Sequence, residues 1–339
     1  MKPALMNSLL VAVLFFASAS VNAPHTASLG QQSPASASQH PLQVTTEIVK
    51  LDASVIDERG EFVNGLQLKN FRILDAGTEQ SIAFFAPTDS PAQILVMIET
   101  GPAVYLIQND HIAALDALAA GLPPDDEIAL VAYNEAPRTI LPFTRDRSSL
   151  TSALGQIQYT LGFGELNLFD SISAVLDSLA PAAGKKTLVL LTTGLDSSPA
   201  SQWQALEQKL RATDVVIFPV ALGAALRTPV KKNKTKSKSL AENKPGVFAE
   251  ADKNLRSLAE ITGGRAFFPE SAADFVPTYH EIAATLRHQY VLGIAPAHDG
   301  QFHPLTVQVL DDAGTPYLPA GKSSSHKIFV RQGYLAPAP

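Results

Sequence analysis

From Gln93 to His288 the chain alternates two kinds of hydrophobic pattern. Near-continuous apolar runs (ILVMI, EIALVAY, TLVLLTT, VVIFPVAL) read as strands buried on both faces. Between them lie segments with apolar residues three and four apart (HIAALDALAAG, SSLTSALGQI, LFDSISAVLDSLA, WQALEQKLRA, KNLRSLAEITGG, FVPTYHEIAATLRHQ), which read as amphipathic helices. That alternation predicts a mostly parallel, doubly wound sheet covered on both sides by helices. Gly121, Gly184 and Gly263 follow periodic segments as helix stops, and Pro123 and Pro124 forbid continuation of the first helix.

The two ends of the chain carry a different period. KLDASVID, NFRILDAG and SIAFF before the α/β segment alternate every second residue between turn signals. QYVLGIAP, HPLTVQVLDDAG and HKIFVRQGYL after it do the same. Both ends therefore predict short antiparallel strands, and their common character predicts that residues 43–90 and 290–335 build one small β-sandwich-like domain. The α/β domain, 91–289, is then inserted in or flanked by it.

Upstream, Lys2, the apolar run Leu9 to Ala17 and the small residues ending in Val21-Asn22-Ala23 have the layout of a cleavable signal peptide, residues 1–23, with cleavage after Ala23. The run is shorter than the roughly 18–20 residues needed to span a bilayer, and no later stretch qualifies after cleavage. A secreted or periplasmic protein is expected. Residues 24–42, rich in Ser, Ala, Pro and Gln, read as a flexible linker.

Composition narrows the function classes. With 46% apolar and 17% charged residues the chain supports a substantial core, and with no cysteine it has no disulfide, thiolate metal site or cysteine nucleophile. The net charge of −6 becomes −7 once Lys2 is removed, which disfavours a nucleic-acid partner. The one basic run, KKNKTKSKS, places Lys231, Lys232, Lys234, Lys236 and Lys238 in a long connection, 224–249. That connection leaves the carboxyl end of a strand and reads as a solvated insertion or a docking patch for an anionic partner.

Signatures of catalysis fail on inspection. Gly184-Lys-Lys-Thr precedes a strand instead of following one and has Leu179 where a phosphate loop needs its first glycine. His280-Glu281 has Ala284 where a zinc-protease helix needs its second histidine, and no Gly-x-Ser-x-Gly elbow occurs. No enzyme is predicted.

In order along the chain, ILVMIETGPAV, PPDDEIALVAYNEAPRTILPFT, LFDSISAVLDSL, KTLVLLTTGLDSS and the ending LAEITGGRAFF, LRHQYVLGIAP, FVRQGYL resemble a von Willebrand factor type A domain. More narrowly they resemble the secreted, acidobacterial-type members of that family, over about Val44 to Leu335. The resemblance implies a doubly wound α/β domain that binds a protein partner, commonly through a metal-ion-dependent adhesion site at the carboxyl edge of the sheet. Such a site takes its ligands from an Asp-x-Ser-x-Ser turn, a Thr in a second loop and an Asp in a third, all oxygen donors suited to Mg²⁺.

Here the matching positions are Glu99, Gly101, Ala103, Leu166 and Thr193. Glu99 is one methylene longer than Asp, Gly101, Ala103 and Leu166 carry no side-chain oxygen, and Thr193 is neutral. A slip that uses Thr100 or Asp196 does not restore all three loops at once. No cofactor is therefore expected, Mg²⁺ included, and Glu99 is expected as a solvated acid at a strand end. It could otherwise pair with a basic group such as the lysine run, or touch a ligand directly. The leading functional reading is a secreted, non-enzymatic, metal-independent protein-binding module. The candidate contacts are Glu99, Thr100, Asn167, Thr193, Asp196 and the five lysines. A structural envelope scaffold acting through its β domain, and metal-dependent ligand binding through Glu99, stand as alternatives.

Overall fold

The computed structural model describes residues 48–87, 91–160, 164–182, 184–197, 199–222, 246–317 and 326–339. The chain divides into two units, Met1–Thr45 and Thr46–Pro339, and every described residue lies in the second. The signal and linker segments read from the sequence, and the five lysines of the basic run, lie outside the described residues.

Five strands form the central sheet: β5 (Ala92–Glu99), β6 (Glu127–Tyr133), β7 (Pro137–Thr144), β8 (Lys185–Thr192) and β9 (Val216–Ala221), in the order β7-β6-β5-β8-β9. β5 pairs in parallel with both β6 and β8, β8 pairs in parallel with β9, and β7 runs antiparallel on the edge. β7 carries Pro137 and Pro142, which an edge strand tolerates because one side of its backbone needs no ladder partner. Those prolines hid the strand from a reading based on alternation.

Side-chain alternation along β5 divides the core in two. Ile94, Val96 and Ile98 face one layer of helices, α2 (Gln108–Gly121), α3 (Arg147–Leu154) and α7 (Phe275–Arg287). Leu95 and Met97 face the other, α4 (Leu168–Leu179), α5 (Ala200–Ala212) and α6 (Val247–Thr262). The sheet is thus wound on both faces, the fold class read from the sequence. α6 begins at Val247, so the long connection after β9 ends earlier than the 249 expected.

Local signals fix the helix ends. Gly263 caps α6 at φ 85°, a conformation that costs glycine nothing. At the start of α3, Asp146 accepts hydrogen bonds from Ser148 N (3.0 Å) and from the hydroxyls of Ser148 and Ser149. Asp146→Ala is expected to lower stability by about 1 kcal/mol, as for other lost helix caps, read as a shift in the urea midpoint without a change in slope.

The chain ends build two four-stranded antiparallel sheets. One has the order β12 (Lys327–Phe329), β1 (Val49–Ile56), β10 (Gln289–Ile294), β4 (Ile82–Pro87). The other has the order β13 (Gly333–Leu335), β11 (Phe302–Val309), β2 (Phe71–Asp75), β3 (Thr78–Gln80). Strands from before and after the α/β segment pair directly, β1 with β10 and β2 with β11. Leu51, Ala53 and Val55 point inward against Phe71, Ile73 and Val307. The opposite face of β1 turns toward the α/β layers, where Lys50 Nζ donates to Gly184 O at 3.1 Å.

Candidate functional site

At the carboxyl edge of the central sheet, β5 ends in Glu99 and β8 ends in Thr192, followed by Thr193. Glu99 is 1% exposed, so it is not the solvated acid expected from the sequence. Its longer side chain crosses to the β8 loop. One carboxylate oxygen, Oε2, accepts from Thr193 N at 2.7 Å, Thr193 Oγ1 at 2.8 Å, Thr192 Oγ1 at 3.0 Å and Tyr133 OH, at the end of β6, at 3.3 Å. Tyr133 OH also lies 2.7 Å from Thr192 Oγ1, which accepts from Gly194 N at 2.8 Å.

Burial raises the Glu99 carboxyl above its usual range, opposed by the donors of Thr193, Thr192 and Tyr133. The Tyr133 hydroxyl is held well above its ordinary value, first by burial and then by the neighbouring Glu99 charge.

Glycine at 101 is what makes room for this arrangement. A Cβ there would lie 3.0 Å from Glu99 Oε1, tighter than ordinary contact. The long Glu99 side chain and the absence of a Cβ at 101 thus fit each other. Gly101 then serves as the N-cap of a short helix, α1 (Pro102–Tyr105), with proline at its first position, as that position favours. Ala103 packs against the hydrophobic layer of α2 and α7.

The neighbouring loops are stitched to each other directly. Thr100 donates through N and Oγ1 to Tyr133 O (2.9 and 3.1 Å) and accepts from Thr160 N at 2.8 Å. Asn134 Nδ2 donates to Thr160 Oγ1 at 2.9 Å. Leu166 N donates to Ser197 Oγ at 3.0 Å, and Ser197 N donates to Leu166 O at 2.7 Å. Asn167 donates through N to Asn134 O (2.8 Å) and through Nδ2 to Glu135 O (2.9 Å). Asp196 Oδ2 accepts from Phe169 N at 2.9 Å and so satisfies a free amide in the first turn of α4.

These residues do not suit a hard cation. The Glu99 carboxylate points inward at N–H and O–H donors, the Thr193 hydroxyl is spent on it, and Asp196 turns Oδ2 to the Phe169 amide. Gly101, Ala103 and Leu166 bring no side-chain oxygen to the edge. Among the described residues no group of three His, Cys, Asp or Glu side chains is placed to hold a metal.

Of the candidate contacts, Glu99, Thr100 and Thr193 are brought together but buried at 1%, 4% and 4% exposure, so none is displayed to a partner. Asn167 and Asp196 are half-buried. What the edge does expose is Tyr105 and Leu106, the latter 81% exposed, with Tyr105 set edge-on to Tyr159 at 5.6 Å between ring centroids. Sequence reasoning passed over Tyr133 and Thr192, whose position at strand ends facing β5 was the available signal, and over the Tyr105-Leu106 pair, whose signal was two large apolar residues just after a turn.

With this geometry in view, the class is a doubly wound α/β domain built on a mostly parallel sheet. The von Willebrand factor type A domain family model matches residues 109–273. Over those residues the chain is similar to the von Willebrand factor type A family, a family of protein-interaction and adhesion modules. The match begins ten residues after Glu99, so the altered turn lies outside it.

Solved structures similar to this chain include an aerotolerance-related membrane protein from Bacteroides fragilis (13% identity, 57% of this chain and 98% of that one covered, TM-score 0.43). A von Willebrand factor type A protein from Catenulispora acidiphila is also similar (11%, 85% and 75%, 0.45). So is the ArnB paralog VWA2 from Sulfolobus acidocaldarius (14%, 85% and 76%, 0.40). No curated protein gives a significant match. Among the described residues no helix is long and apolar enough to cross a membrane.

Proposed function

We propose that this protein is an exported, non-enzymatic protein-binding module whose sheet edge is ordered by an internal carboxylate instead of a metal ion. The carrying observation is Glu99 Oε2 accepting the Thr193 amide and hydroxyl and the Thr192 hydroxyl at 2.7–3.0 Å, in space that Gly101 leaves free. In a metal-bridged adhesion site the cation ties the first turn to the third loop; here the glutamate makes the same tie. The edge then meets its partner through exposed side chains, Tyr105 and Leu106 foremost, and export rests on the signal-like residues 1–23.

Mg²⁺, Mn²⁺ and Ca²⁺ titrated calorimetrically into the mature protein are expected to give no saturable heat. Melting curves in chelator and in millimolar metal are expected to coincide, because a ligand that bound the native state would raise its stability. Saturable binding lost in Glu99→Ala would instead support the metal-dependent reading.

A further inference from the structure

A second feature lies at the opposite end of the central sheet, where the sandwich meets the α/β layers. Along β1, Leu51, Ala53 and Val55 enter the sandwich core, which turns Lys50 and Asp52 the other way. Arg331, between β12 and β13, reaches the same junction and is only 7% exposed. Its Nε donates to Gly333 O at 2.6 Å and its Nη2 to Arg211 O at 2.7 Å, while Nη1 makes no hydrogen bond among the described residues.

Lys50 and Arg331 both line a groove of about 660 Å³. Among the described residues neither forms an ion pair: the Lys50 ammonium meets only the Gly184 carbonyl, and Asp214, on the same groove, is bound to Lys186 at 3.0 Å. A guanidinium this deeply buried with only carbonyl partners is costly, and an anion would offset that cost. Burial pushes Arg331 down to about 10, with Asp214 and Asp52 opposing only from a distance, so it is charged at neutral pH.

The other wall is apolar and open. Ile48, Phe84 and Leu335 are 44%, 44% and 38% exposed, among the few large apolar side chains that the described surface displays. A cleft of this volume between two layers, mainly apolar with a few convergent charges, has the make-up of a small-molecule site.

We propose that this groove binds an amphiphilic carboxylate, its anionic head on Arg331 and Lys50 and its hydrocarbon body along Ile48, Phe84 and Leu335. Planar guanidinium suits a carboxylate head, and the single exposed apolar wall suits an unbranched chain lying along it. The site is independent of the Glu99 edge and stands or falls separately from the metal question.

The test uses the full mature chain and three probes below their micellar concentrations: octanoate, octylamine and acetate. Octanoate is expected to bind saturably by calorimetry and to raise the melting temperature. Acetate, the head alone, should bind at least tenfold more weakly, and octylamine, the same chain with the opposite charge, should not bind. Arg331→Gln removes two backbone contacts and so risks the fold. The informative variants are therefore Lys50→Met, expected to weaken octanoate about tenfold, and Phe84→Asp, expected to abolish its binding, both with unchanged circular dichroism. Absence of saturable octanoate binding, equal binding of octanoate and octylamine, or indifference to both variants would overturn the proposal.

Discussion

Glu99→Ala is expected to destabilise the protein by about 3 kcal/mol. The change removes the acceptor of the Thr193 amide and of the Thr192 and Thr193 hydroxyls, at about 1–3 kcal/mol for each buried donor left unsatisfied before relaxation, and opens space at the end of β5. Glu99→Gln separates the roles of shape and charge. The amide oxygen keeps an acceptor for Thr193, and because burial raises the Glu99 carboxyl, loss of its charge removes a cost. Glu99→Gln should therefore fall within about 1 kcal/mol of the parent. Equilibrium urea unfolding of the three proteins at pH 7 reads the difference, and equal losses for Ala and Gln would mean that the ionised charge, not the acceptor, holds the edge together.

Acid should unfold the protein through His111. This side chain is 2% exposed on α2, packed on Phe275 of α7 at 4.7 Å between centroids, and neither ring nitrogen has a hydrogen-bond partner. Burial alone lowers its pKa from 6.5 to about 3. The folded state thus holds a neutral ring where the unfolded chain takes up a proton. The stability linked to this group is fully present above 6.5 and is lost as pH falls toward 3, at about 1.4 kcal/mol per unit, or roughly 3 kcal/mol by pH 4.5. Glu99 works in the other direction: with its folded pKa raised, its linked stability is full below 4.5 and declines as pH rises through the folded value. Melting from pH 7 to 4.5 should show the His111 slope, and His111→Leu should flatten it. A slope that survives in His111→Leu would move the acid sensitivity to other groups.

The α/β layers were legible because β5, β8 and β9 are buried on both faces and carry near-continuous apolar runs along their middles, while α4 repeats Phe169, Ile172, Val175, Leu176 and Leu179 on one side. β7 escaped notice because an edge strand with two prolines and an exposed Arg138 has neither continuous apolarity nor clean alternation. At the candidate site, the positions with altered chemistry could be named from the family resemblance. Their meaning could not, since whether Glu99 faces water or Thr193 depends on a contact 94 residues away in sequence. The same holds for Gly101, whose role becomes visible only when the glutamate oxygen is found 3.0 Å from its absent Cβ. Asp196 likewise read as a spare ligand, whereas it serves the amide of Phe169.

The most direct measurement is amide hydrogen exchange at Thr193, Thr100 and Phe169 in protein stripped with chelator, repeated with Mg²⁺. If Glu99 and Asp196 hold the three loops, these amides are protected without metal to the level of the neighbouring strand ends, and Mg²⁺ changes nothing. Fast exchange in chelator that slows on adding Mg²⁺ would show that a cation, and not the carboxylate, orders the edge.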